Sequence, residues 1–252
     1  MKLVLLMPFL LFLVTKLIAQ SDSIQNVDTI QEKGASTVLK SKYLKESIIP
    51  IGLATASLVI TAVPNLKQNL QSKLMWNNQK SSNYINLGED YMRYAPSVAA
   101  YALSACGLKS KHKFIDRSVI LALAYISSDF VVYNTKNIVQ EPRPDKSENT
   151  SMPSQHTAMA FVAATFLDHE LGYISPWISV SGYLAASYVG YARIARNAHW
   201  TNDVLMGSAV GIIMTNATYW AYDGVIKLFP KNVTISPIVN PQQTGMYVCY
   251  KF

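Results

Sequence analysis

The chain has 252 residues, with 22 Lys and Arg against 15 Asp and Glu, a net charge of +7, 50% hydrophobic residues and only 15% charged ones. That length suits one domain with a sizeable core, and the composition is apolar for a soluble globule yet modest for a protein of many membrane spans. The basic residues fall in short clusters such as Lys109-Ser-Lys111-His-Lys113, not in a helix stripe or an arm with stacking aromatics; this argues against nucleic acid and for a membrane surface or an anionic lipid head group as partner.

Lys2, an apolar run over 3–15 and the small residue Ala19 read as a secretory signal, residues 1–19, cleaved after Ala19. The run is short for a retained anchor helix, and either reading sends the chain to the cell envelope. Residues 20–47 are polar and are expected to be loosely ordered. A helical domain then covers 48–230, with a tail at 231–252. Its first apolar segment, 48–63, is closed by Pro64, and the polar connection 65–94 holds a helical stretch at 66–76. Further apolar segments follow at 95–108, 118–133, 156–171 (stopped by Gly172), 176–195 (opened by Pro176) and 203–228, with Pro230 just beyond. Six such segments predict an all-α, six-helix bundle embedded in or associated with a membrane. Gly182, Ala186 and Gly190, and then Gly207 and Gly211, recur every four residues, a spacing that lets helix backbones approach closely. The tail from 233 onward has strand-like alternation. Cys106 and Cys249 have no metal-ligand spacing and are read as unpaired.

Three short stretches lie near ends of these segments: Lys136-x6-Arg143-Pro144, Pro153-Ser154-Gln155-His156, and Arg193-x5-His199-x3-Asp203. They supply three cations, two histidines and a carboxylate. Cleaving a phosphate ester needs donors around the phosphoryl oxygens, a nucleophile in line with the leaving group and an acid to protonate that group. Singly, Asp203 reads as a helix cap, Arg143 as a loop charge and Lys136 as a snorkelling lysine. As a spaced set they read as one phosphate-handling site. His112 and His169 belong to no such set and are read as surface residues.

On these stretches the chain resembles the phosphatidic acid phosphatase type 2 (PAP2) superfamily, which also holds vanadium haloperoxidases and bacterial class A acid phosphatases. Its pattern is K-x6-RP, PSGH and SR-x5-H-x3-D. The flanking Glu89-Asp90-Tyr91 and Lys111-His112-Lys113 texture is similar to the envelope lipid-phosphatase branch. The resemblance implies His199 as a nucleophile forming a phosphohistidine, Asp203 orienting its ring, and His156 protonating the leaving alcohol. It further implies Lys136, Arg143, Arg193, Ser154 and Gln155 as phosphate-binding residues, with no metal and no cofactor. The chain departs from the pattern at Gln155, where glycine is usual, and at Ala192, where serine is usual.

The function so implied is a lipid phosphate phosphatase of a bacterial envelope, acting on a phosphate monoester or pyrophosphate of a membrane lipid, with lipid A or undecaprenyl pyrophosphate as the leading candidates. A vanadium-dependent haloperoxidase and a non-catalytic phospholipid-binding protein are the alternatives. In an up-and-down bundle the three stretches share one face and the basic loop 109–117 lies at the other. The positive-inside rule then puts the loop in the cytoplasm and the site in the periplasm of an inner membrane. A cleaved signal and six spans give opposite locations for residues 21–47, so the number of true spans stays open.

Overall fold

The computed structural model describes the backbone over residues 32–75, 88–228, 233–240 and 243–250, and side chains over 43–75 and 88–225. The expected signal at 1–19 lies outside these residues. The first helix, α1, runs over Glu32–Ala62 and carries Pro50 within it. The helix therefore covers residues 32–47, which were expected to be loosely ordered. Glu32, Lys33, Ala35, Leu39, Lys40 and Lys42 are good helix formers, and the polar stretch continues the apolar one without a break. Pro64, at the first position of α2 (Pro64–Leu74), is placed where its missing N–H costs nothing.

A helical turn at 88–92 leads to α3 (Ala95–Ala105), α4 (Phe114–Val139), α5 (Gln155–Leu171), α6 (Pro176–Ala195) and α7 (Thr201–Leu228). The apolar segments read from the sequence thus all became helices, the first extended back to Glu32 and the others with ends moved by six residues or fewer. Helix α5 is the centre. Twelve of its seventeen residues are buried, as expected of a helix apolar all round. It packs against α3, α4 and α6. Phe161 and Ala164 of α5 meet Ala186 and Val189 of α6 and Ile212 of α7 in one core cluster.

The regularly spaced glycines have a packing reason. A Cβ on Gly211 would lie 2.4 Å from the Ala158 carbonyl oxygen, and one on Gly207 would lie 2.5 Å from that of Ser154. No side chain fits there, so α7 crosses α5 at backbone contact.

Two helices are long and apolar enough to cross a membrane, Tyr43–Ala62 within α1 and Thr201–Val225 within α7. Exposed apolar residues form outward stripes on two others: Val119, Leu123, Ile126 and Phe130 on α4, and Trp177, Val180, Leu184 and Tyr188 on α6. Their three- and four-residue steps keep each set on one helix face, where lipid is the natural solvent. From Glu32 to Leu228 the described elements are all helices, and the two candidate spans with these outer faces support a membrane location. A second compact unit begins at Ala217 and contains an antiparallel hairpin, β1 (Val233–Asn240) with β2 (Gln243–Tyr250), paired from Val233↔Tyr250 to Asn240↔Gln243.

The basic loop sits at the far end of α5 from His156. Lys111 N donates to Glu170 O at 3.2 Å, and His112 Nδ1 lies 2.7 Å from the buried Glu170 carboxylate. His169 Nε2 is 2.8 Å from Asn216 Oδ1. Both histidines are half-buried members of a polar layer, which corrects their reading as surface residues. Arg117 likewise turns inward, donating to Ser104 Oγ at 2.6 Å and stacking over Tyr101.

Gly211→Ala is expected to destabilise the fold by about 1–3 kcal/mol through overpacking. Gly52→Ala, at a helical position where nothing lies within 4 Å of the added Cβ, is expected to be neutral or mildly stabilising. Thermal unfolding in detergent checks both.

Candidate active site

Four helix ends converge at one end of the bundle: the last turn of α4, the starts of α5 and α7, and the end of α6. Helix α6 stops because Asn197 takes a left-handed φ of 59°, a conformation asparagine tolerates better than most residues. Ala198 N and His199 N then fold back onto the Arg193 carbonyl at 3.1 and 3.2 Å. This reversal presents His199 into the bundle, where it is 2% exposed. Helix α2 fixes the turn from outside: Gln71 Nε2 donates to Asn197 Oδ1 at 2.9 Å and to Ile194 O at 3.2 Å.

Behind His199 lies a carboxylate, with a hydroxyl beside both. His199 Nδ1 is 3.6 Å from Asp203 Oδ2 and 3.5 Å from Ser151 Oγ. The Ser151 hydroxyl donates to that same Asp203 oxygen, and Trp200 N donates to it at 2.8 Å. Asp203 also joins the helix starts, because its carbonyl accepts from Ser154 N at 3.0 Å. Ser151 was not among the residues singled out from the sequence. Three positions before Ser154, it has no signal of its own beyond its nearness to the Pro153-Ser154 stretch.

The three cations surround this imidazole. Lys136, in the last turn of α4, donates through Nζ to Thr150 O. Arg143 pairs with Glu148 at 3.1 Å, and its loop is tied to the His199 turn by Trp200 Nε1 donating to Pro142 O at 2.8 Å. Arg193 donates to Glu89 Oε1 at 2.6 Å, and Arg196 shares that oxygen. Burial, together with the charges of Arg193, Lys136 and Arg143, holds His199 well below the ordinary imidazole range, although a backbone hydrogen bond at Ser151 works against them. His199 is therefore neutral at neutral pH. Arg143 Nε and Arg193 Nε are buried without a hydrogen-bond partner in the protein.

His156 stands across the site in the first turn of α5, with Nε2 2.8 Å from Asp90 Oδ1. Glu89 and Asp90 are adjacent, so one helical turn at 88–92 holds both Arg193 and His156. The sequence marked this pair only as flanking texture. Ser154 is fully buried, and its Oγ accepts from Thr157 Oγ1 at 3.0 Å, which leaves its own proton to donate elsewhere. Gln155 is exposed, and its side-chain amide goes to Asp129 Oδ1 at 2.5 Å. Its backbone is helical, so the position makes no demand for glycine. The expected site residues are thus gathered at one place, with the Gln155 side chain turned to α4.

A further layer closes the outside of this end. Lys67 of α2 pairs with Glu141 and lies 4.2 Å over the Trp200 ring. Burial and the neighbouring Asp203 charge push the Glu141 carboxyl up, against the opposing pull of Lys67. Asn202 Nδ2 bonds Thr61 Oγ1 at 3.0 Å and Glu141 Oε2 at 3.3 Å, tying α1 and the 140–154 loop to the start of α7.

The PAP2 superfamily model matches residues 117–227, a span that holds all three motif stretches. A lipid A 1-phosphatase of Porphyromonas gingivalis is 36% identical over 140 residues, covering 55% of this chain and 32% of that protein. The chain thus spans under two thirds of that relative's length. The crystal structure of a PAP2-type phosphatidylglycerolphosphate phosphatase from Bacillus subtilis superposes with a TM-score of 0.51 at 17% identity, over 73% of this chain and 98% of that one, so the two share a fold. The crystal structure of Aquifex aeolicus LpxE gives a TM-score of 0.47 at 23% identity, over 62% of this chain and 95% of that one. The segment 117–227, whose motif stretches are gathered at one end of a bundle of this fold, is thus similar to the PAP2 superfamily.

Proposed function

We propose that the protein is a bacterial envelope lipid-phosphate phosphatase working through a phosphohistidine on His199. The observation that carries this reading is a buried imidazole with Ser151 and Asp203 at its Nδ1 side, held below its ordinary range by burial and by the charges of Arg193, Lys136 and Arg143. Pure anion binding needs the cations but has no use for an oriented, uncharged histidine.

In the first step His199 Nε2 attacks phosphorus while the bond to the leaving oxygen breaks. His156 gives that oxygen a proton and becomes the base for the second step. Asp203 and Ser151 keep the His199 proton on Nδ1, so the lone pair stays on Nε2. The guanidinium charges of Arg143 and Arg193, the Lys136 ammonium and the Ser154 hydroxyl balance charge on the phosphoryl oxygens. The first N–H groups of α5, which no side chain caps, add further donors. In the second step His156 takes a proton from water, the hydroxide attacks phosphorus, and His199 leaves as the neutral ring. The phosphoryl group is transferred to water with no change of oxidation state.

Likeness to the lipid A 1-phosphatase supports lipid A as the first substrate to test, with undecaprenyl pyrophosphate next. The lysines gathered at the opposite end support an inner-membrane orientation with the site facing the periplasm.

Phosphate release in detergent should be measured on lipid A, undecaprenyl pyrophosphate, phosphatidylglycerophosphate and phosphatidic acid. Release from lipid A by the wild type, and none above background with His199→Ala, is the expected result. No release from any of the four by the wild type would sink the reading. The depressed His199 sets the pH behaviour: the ring stays deprotonated as pH falls, so the acidic limb of kcat/KM that it governs should lie below pH 6.5, the ordinary imidazole value. Arg143→Gln removes one repelling charge and should move that limb upward. Ser151→Ala should lower kcat about tenfold to hundredfold, the scale for losing a partner that orients a functional histidine, with KM unchanged in steady-state kinetics.

A further inference from the structure

The end of the bundle away from His199 holds a cavity with a volume of about 980 Å³, a size that accepts small amphiphilic ligands. Its deep wall is apolar, built from Leu53 of α1, Phe161 of α5, Ile212 of α7 and the Tyr183 ring of α6. Its mouth carries Lys45, Lys109 and Lys111, all of them exposed. The Tyr173 hydroxyl donates to Lys109 O and so fixes the loop bearing two of these lysines against the start of α6. Two carboxylates, Glu46 and Asp168, face the same space. Asp168 accepts from Ser179 Oγ, and Lys111 has other polar contacts within the protein, so Lys45 and Lys109 are the principal cations of the mouth. None of the residues assigned to phosphate chemistry lines this cavity. Along α5, His169 lies thirteen positions beyond His156, a rise of about 20 Å.

Depth in the membrane narrows the choice of occupant. Lys45 lies at the start of the candidate span Tyr43–Ala62, the level of lipid head groups. Ile49, one turn deeper, also lines the cavity and is 67% exposed, so the cavity opens sideways towards the hydrocarbon beside α1. Cations at head-group depth above an apolar slot fit one kind of molecule. A free anion has no use for the slot, and a neutral amphiphile has none for the lysines.

We propose that this cavity binds one anionic phospholipid, its phosphate at Lys45, Lys109 and Lys111 and an acyl chain along Leu53, Phe161 and Ile212. The site is separate from the phosphatase reading and stands whether or not that reading holds.

The test uses the full chain in a zwitterionic detergent, offered equal phosphatidylglycerol and phosphatidylcholine, with retained lipid counted by native mass spectrometry. The wild type should keep one phosphatidylglycerol in preference to phosphatidylcholine. Replacing Lys45, Lys109 and Lys111 together by alanine should weaken retention on the order of a hundredfold, given the contribution of each basic residue near an anionic lipid. Leu53→Trp, which fills the slot and leaves the lysines, should also lose the lipid. Equal retention of both lipids overturns the proposal, as does phosphatidylglycerol binding that survives the triple substitution. Full displacement of phosphatidylglycerol by millimolar inorganic phosphate would instead identify a free-anion site and overturn it too. The lysine variant decides the matter if Leu53→Trp lowers the lipid-free thermal midpoint, because its substitutions are at exposed positions.

Discussion

Holding three cations around one buried imidazole is the constraint on which the site depends. Like charges in a poorly solvated setting repel strongly, and an unpaired buried charge costs several kcal/mol. Each cation here has a local partner: Arg193 has Glu89, Arg143 has Glu148, and Lys136 has the Thr150 carbonyl. The partners are incomplete by design of the geometry. Glu148 is more than half exposed, a carbonyl carries no full charge, and the Nε atoms of both arginines stay unpaired. Burial first, and then the remaining positive field, hold the His199 imidazole below its ordinary range. In the proposed mechanism, burial and that imbalance together prepare His199, and the imbalance also attracts the phosphoryl group.

That imbalance is tolerable only if the elements bearing it cannot relax apart. The backbone contact of α5 with α7 at Gly207 and Gly211 locks two of the four converging helix ends. The Gly207 contact is with the Ser154 carbonyl itself, at the residue whose N–H is held by Asp203. Packing and site geometry are the same interaction at this point. On the other side, Gln71 holds the left-handed Asn197, so the turn that delivers His199 is fixed by a helix lying outside the motif stretches.

Helices were legible because the apolar runs were long and had strong end signals such as Pro64, Pro176 and Gly172. The continuation of α1 back to Glu32 was not, because a polar helix with lysines reads like a loop when periodicity is the main signal. At the site, spacing exposed the residues that carry charge or a ring at motif positions. Ser151 and Gln71 act through one hydroxyl and one amide, residue types too common to stand out, and their roles arise from contacts between residues 52 and 126 apart. Glu89 and Asp90 were visible as a pair, but which cation each would meet depends on where the 88–92 turn falls against α6 and α5. His112 and His169 were misread for the same reason: a histidine in a basic loop gives no hint that a buried Glu170 waits across the bundle end.

Neither departure from the family pattern removes a polar contact described at the site. Gln155 occupies a helical backbone that any residue can adopt, and its amide is spent on Asp129. Ala192 is buried, and its carbonyl accepts from Arg196 N at 3.1 Å, which helps place Arg196 beside Arg193. Both guanidinium groups then share Glu89 Oε1 while Oε2 has no partner. One negative charge is divided between two positive ones, so Arg193 is less neutralised than in a simple pair. The Ala192 carbonyl bond is a main-chain one, so the Arg196 arrangement supplies charge here whether alanine or serine stands at position 192. Charge acts over a longer range than a hydrogen bond and is less demanding of geometry. Net charge at Arg193 is thus set by Glu89 and Arg196, and the absence of a hydroxyl at position 192 removes one directional group without altering that balance.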